Sequence, residues 1–249
     1  MLFSSITFLY YFFPVVIALY FIVPKKIKNF ILLLASLFFY YWGEKAYVMA
    51  MVILSMTGYT FGLLIDKFRD SKLSKVFLTF SVILPLTTLG IFKYANFFIE
   101  NINTVFGGSI ELLKIALPIG ISFYTFQILS YNIDLYCGNT IVQKNLINFM
   151  TYVTMFPQLI AGPIVRYSDI AKELDVRKYS LENVAYGINR FIMGLSKKVL
   201  VANLLGEFCD IFKSIEEQSV LFTWAYAVAF ALHIYFDFSG YSDMAIVLG

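Results

Sequence analysis

The stretch HIYFDFSGYSDM, residues 233–244, puts the only histidine of the chain, His233, beside two carboxylates, Asp237 and Asp243, in one of its most apolar regions. His233 and Asp237 are four residues apart, so on a helix they share a face. One chemistry for such a pair is acid/base catalysis, with Asp237 orienting and polarising His233 so that it takes a proton from a hydroxyl. The other reading is an Asp–His hydrogen bond that ties helices together. Asp243 follows Asp237 by six residues and points to another face of a continuous helix. Gly240, between them, allows either a break or a close helix contact.

Two further stretches carry polar groups at a depth where they are costly and therefore face a cavity or a partner. In GISFYTFQILSYNID, residues Tyr124, Gln127, Tyr131 and Asp134 recur at three and four residues and form one polar-aromatic stripe on an apolar helix. The stripe lines a polar cavity or serves as hydrogen-bonding glue between helices. In FPQLIAGPIVRYSDI, Gln158 lies among the helix breakers Pro157, Gly162 and Pro163, with Arg166 just beyond them. The breakers free backbone groups that something must satisfy. Arg166 binds an anionic cofactor or anchors to phosphate headgroups. His233 and the cysteines, Cys137 and Cys209, show no metal-ligand spacing, and no zinc motif, phosphate loop or G-x-S-x-G is present.

The elements that position these residues are membrane helices. Of 249 residues, 60% are hydrophobic and 14% charged, and the mean hydropathy is +0.77; a soluble domain carries roughly a quarter charged residues. The net charge of +3 does not point to nucleic acid. The fold class is an all-α polytopic membrane protein, organised as one membrane domain over residues 1–249. Spans are expected at Ile6–Val23, Asn29–Trp42, Ala46–Ile65, Val76–Ile99 (interrupted by Pro85), Leu112–Leu135 and from Ser219 onward. Phe149–Val165, broken by its prolines, is expected to enter the membrane and turn back. Asn183–Leu205 is expected along the interface, with Arg190, Lys197 and Lys198 facing acidic headgroups. Basic residues follow the first span (Lys25, Lys26, Lys28) and the third (Lys67, Arg69, Lys72, Lys75). That side is therefore cytoplasmic and the N-terminus outside.

LPIGISFYTFQILSYNIDLY, MFPQLIAGPIVRYSDI and YFDFSGYSDMAI, in this order, resemble the membrane-bound O-acyltransferases, most closely the bacterial alginate O-acetyltransferase branch. The resemblance implies a multi-helix bundle around a tunnel that joins the two faces of a bacterial inner membrane. It implies transfer of an acetyl group from a cytoplasmic donor, acetyl-CoA, to hydroxyls of an extracytoplasmic polysaccharide, with no bound cofactor or metal. Extracytoplasmic partner proteins with hydrolase-like domains complete the transfer, and membrane lipid surrounds the bundle. The resemblance makes Tyr124, Gln127, Tyr131, Asp134, Gln158, Arg166, Ser239, Tyr241 and Asp243 candidates for the tunnel lining. Asp237 matches the polar position that accompanies the family's catalytic histidine.

That histidine belongs to a WRRWH-type motif downstream of YFDFSGYSDM and is expected beyond Gly249. His233 falls where relatives carry another polar residue and is only a weak catalytic candidate. The chain is accordingly expected to be an N-terminal half, inactive alone. Two other classes remain open: a transporter or export component that moves substrate through the same polar interior, and a membrane scaffold that docks partners without acyl transfer.

Overall fold

A computed structural model describes residues 4–113, 115–159, 165–175, 180–215 and 219–248. Among them every regular element is helical. A π-helical turn, Phe8–Phe12, leads into α1 (Phe13–Ile22), followed by α2 (Lys28–Glu44), α3 (Tyr47–Lys67), α4 (Lys72–Phe106) and α5 (Ile121–Cys137). Then come α6 (Leu146–Thr154), α7 (Phe156–Leu159), α8 (Tyr167–Asp175), α9 (Leu181–Ser196), a π-helical segment Lys197–Ala202, α10 (Asn203–Lys213) and α11 (Val220–Leu248). Among the described residues three helices are long and apolar enough to cross a membrane: α3, α4 and Val220–Ala245 of α11. Together with the composition they make the chain an all-α polytopic membrane protein.

Helix ends follow local chemistry. The Asn145 side chain accepts from the backbone N–H groups of Ile147 and Asn148, and Ser180 from that of Asn183. Each thereby satisfies donors that a first helical turn leaves open. Two expectations fail here. Helix α4 runs through Pro85 without a break; the ring is buried against neighbours, and membrane helices tolerate proline where other groups re-satisfy the backbone. The expected span Leu112–Leu135 is helical only from Ile121 onward. Pro118 and Gly120 stop helix propagation there, and Gly120 has φ +76°. The expected turn-back around Phe149–Val165 falls largely on residues 160–164, outside the described residues; the described part is α6, a break at Met155 and the single turn α7.

The described residues divide into two compact units. One comprises those of Val23–Ile160 and Ile164–Arg177. Its core joins Tyr40, Met51, Leu54 and Ile65 to Tyr124, Ile128, Tyr131, Leu135, Phe149 and Tyr152. Close packing of α3 on α5 depends on two small residues. A Cβ at Gly58 would lie 2.4 Å from Ile128 Cγ2, and one at Gly62 would lie 2.8 Å from Tyr131 Cε1. The other unit comprises those of Met1–Ile22 and Lys178–Gly249. In it α9 and the π-helical segment lie against α11, and Phe212 of α10 stacks on Tyr226 of α11 at 4.5 Å between ring centroids.

Candidate functional site

In the unit built on α9 and α11, the backbones meet at two glycines. A Cβ on Gly194 would lie 2.5 Å from the Gly240 carbonyl oxygen, and one on Gly240 would lie 2.7 Å from that of Gly194. Gly240 thus makes the close contact rather than a break, and α11 continues through it. This approach brings the cations of α9 and the π-helical segment within reach of the α11 carboxylates. Arg190 donates from Nε to Asp243 Oδ1 at 2.9 Å, and Lys197 Nζ lies 2.6 Å from Asp243 Oδ2. Lys197 also donates to Ser239 Oγ at 3.1 Å, and Arg190 to the Tyr186 hydroxyl at 2.8 Å. Lys198 pairs with Asp237. The wider π turn lets two successive lysines both reach α11, one to each carboxylate; such turns recur at functional sites.

These contacts correct two expectations. Asp237 does not orient His233: its partner is Lys198, while His233 Nδ1 lies 2.7 Å from the Ala202 carbonyl oxygen. A carbonyl oxygen only accepts, so Nδ1 carries the proton, and in the neutral ring Nε2 is the acceptor. The ring packs on Gly206, where a Cβ would come within 3.0 Å of His233 Cε1. Nor do Arg190, Lys197 and Lys198 face headgroups alone, because each has an ionic partner on α11. Sequence reasoning noted these three cations but did not place them in the site. Three cations and two carboxylates in neighbouring apolar segments were the available signal, since each needs a counter-charge at that depth.

The other unit holds the polar stripe of α5. Tyr124, Gln127 and Tyr131 are all buried, and Asp134 is half-buried near the helix end, accepting from Asn139 at 3.4 Å. Tyr131 accepts through its hydroxyl from the Gln143 backbone N–H at 2.9 Å, and Gln143 donates to the Tyr167 hydroxyl at 2.8 Å. Gln127 donates to Gln158 Oε1 at 3.3 Å, which brings two of the predicted residues together. Gln127 Oε1, Thr125 Oγ1 and both side-chain polar atoms of Asn132 are buried without a hydrogen-bond partner among the described residues. With the Tyr124 hydroxyl these make five such atoms on one apolar helix, more than packing needs. Arg166 is exposed just ahead of α8, and Tyr241 is half-buried on α11.

Residues 139–248 match the sequence model of MBOAT, the membrane-bound O-acyltransferase family. Over 254 residues the chain is 39% identical to the probable alginate O-acetylase AlgI of Pseudomonas aeruginosa, an alignment covering 100% of this chain and 49% of the relative. It is equally similar, at 39%, to the protein of the same name from Azotobacter vinelandii, covering 100% of this chain and 51% of that one. The peptidoglycan O-acetyltransferase of Helicobacter pylori is 32% identical over 236 residues, 84% of this chain and 45% of the relative. The chain therefore spans about half the length of the curated relatives it matches.

Proposed function

The chain belongs to the membrane-bound O-acyltransferase family, and on that premise we propose that it serves the O-acetylation of an extracytoplasmic polysaccharide of the alginate type. The supporting observation is the 39% identity, across the whole of this chain and about half of each relative, with probable alginate O-acetylases. In this reading acetyl-CoA is the cytoplasmic donor. The acceptor hydroxyl oxygen forms a C–O bond to the acetyl carbonyl carbon as the thioester C–S bond breaks. The hydroxyl proton goes to a general base and the departing thiolate is protonated. The base is the histidine that the family carries C-terminal to FDFSGYSD; general-base help of this kind contributes roughly 10²–10⁴-fold.

Asp237 accompanies that histidine and is ion-paired with Lys198. In this reading Tyr124, Gln127, Tyr131, Asp134, Gln158 and Arg166 are tunnel-lining residues of one unit, and Ser239, Tyr241 and Asp243 are tunnel-lining residues of the other. The protein sits in a bacterial inner membrane with its N-terminus outside, and hydrolase-like extracytoplasmic partners finish the transfer.

The test is genetic and chemical. The gene is deleted in its native host, and acetyl esters on the secreted polysaccharide are quantified by proton NMR. Deletion is expected to remove them. The wild-type gene is expected to restore them, and a gene carrying Asp237→Ala is not. Ester content unchanged by the deletion overturns the proposal.

A further inference from the structure

We propose that Lys198 is a positioning residue for acyl transfer, pinning one oxygen of Asp237 so that the other stands open to the reacting groups. The role rests on the function proposed above. The two carboxylates of α11 differ in a way that singles out Asp237. Asp243 has both oxygens engaged, Oδ1 by Arg190 and Oδ2 by Lys197, and only 11% of its side chain is exposed. Asp237 is held through Oδ1 by Lys198 alone among the described residues, and 41% of its side chain is exposed. An ionised carboxylate accepts on both oxygens, so Oδ2 is left with its full capacity. A pair that served only to tie helices together needs no such open oxygen, and Asp243 shows the closed form.

The lysine stands on a fixed mount. The π-helical segment Lys197–Ala202 is fastened to α11 at both ends. At one end Lys197 holds Ser239 and Asp243; at the other His233 donates to the Ala202 carbonyl oxygen. Between these ties the Lys198 backbone lies against Gly240, where a Cβ would come 3.2 Å from its nitrogen. Asp237 is three residues before Gly240, less than one helical turn away. The Lys198 side chain, 20% exposed, therefore reaches Asp237 from a backbone that cannot drift. Reactive constellations are held true by residues that packing and hydrogen bonds lock in place.

Lys198 takes part in no bond change. It acts through Asp237, by fixing where the open oxygen stands and by balancing its charge. His233 serves this arrangement as an anchor of the mount rather than as a base.

The test varies acetyl-labelled acetyl-CoA in host membrane vesicles carrying variants of the gene, with label on the polysaccharide expressed per amount of chain present. Lys198→Met is expected to lower kcat about tenfold, the low end for groups that orient a reactive partner, and to leave KM for acetyl-CoA within about twofold. Lys198→Arg keeps the charge and is expected to recover most of the wild-type rate. Asp237→Asn is expected to lose rate, and adding Lys198→Met to it to cost nothing further, since the lysine acts only through Asp237. That double variant strands no charge, so poor folding does not mask the result. A Lys198→Met chain with wild-type kcat overturns the role, as does an arginine variant no better than methionine. A lysine effect undiminished on top of Asp237→Asn also overturns it. Labelling that does not depend on the gene overturns the proposed function and this role with it, whereas gene-dependent labelling that ignores Lys198 overturns the role alone.

Discussion

Replacing Gly240 by alanine tests the packing that assembles the ionic cluster. The added Cβ would sit 2.7 Å from the Gly194 carbonyl oxygen and 3.2 Å from the Lys198 backbone nitrogen. Neither is a flexible side chain that can swing away. To relax the first contact from 2.7 Å to an ordinary 3.4 Å, α9 and α11 must separate by about 0.7 Å. The same displacement takes the Lys197–Ser239 hydrogen bond from 3.1 Å to about 3.8 Å, beyond hydrogen-bond range. Overpacking of this kind costs roughly 1–3 kcal/mol, which lowers the midpoint of thermal unfolding by roughly 2–12 °C for a chain of this size. Gly90 is the internal control. It also lies inside a helix, but nothing stands within 4 Å of its Cβ position. Alanine there is expected to be neutral or to stabilise by up to about 1 kcal/mol. The assay is thermal unfolding of both variants in one detergent, followed by tryptophan fluorescence. A Gly240→Ala protein as stable as Gly90→Ala refutes the tight crossing and the geometry built on it.

Other substitutions probe the remaining structure by the same assay. Gly120→Ala forces a side chain into φ +76° and 2.4 Å from the Leu159 carbonyl oxygen, so it is expected to destabilise by at least about 2 kcal/mol; unchanged unfolding contradicts the α5 start described here. Asn132→Leu replaces a fully buried amide with no hydrogen-bond partner and is expected to raise stability by about 1–3 kcal/mol. A loss would mean that the amide has a partner. Lys198→Met and Asp237→Asn are each expected to destabilise by stranding the other charge, and the double variant to recover part of the loss. Strict additivity of the two single effects would show that the pair does not interact.

Much of the architecture is legible in the sequence because span length and hydropathy are local properties. The helices over Ala46–Ile65 and the final run appear where expected, since about twenty or more apolar residues have few alternatives in lipid, while the shorter run Asn29–Trp42 is helical as the 17-residue α2 but is not among the three helices long and apolar enough to span. Pro85 misled because proline's cost depends on what re-satisfies the backbone, which is a tertiary matter. The stripe Tyr124–Gln127–Tyr131 was readable from its spacing and is buried on α5. The spacing of His233 and Asp237 showed that they could meet on one helix face but not whether a better partner existed elsewhere. Lys198 and Lys197 lie 39 and 46 residues away from their carboxylates, so only the approach of Gly194 to Gly240 reveals the pairing.

Acyl transfer itself is tested most directly in native membranes. Vesicles from the host are supplied with acetyl-labelled acetyl-CoA on the cytoplasmic face, and alkali-labile label is measured on the polysaccharide. Label is expected to accumulate with the wild-type gene and to fall at least tenfold with Asp237→Ala. Equal labelling in membranes that lack the gene altogether would contradict the assignment.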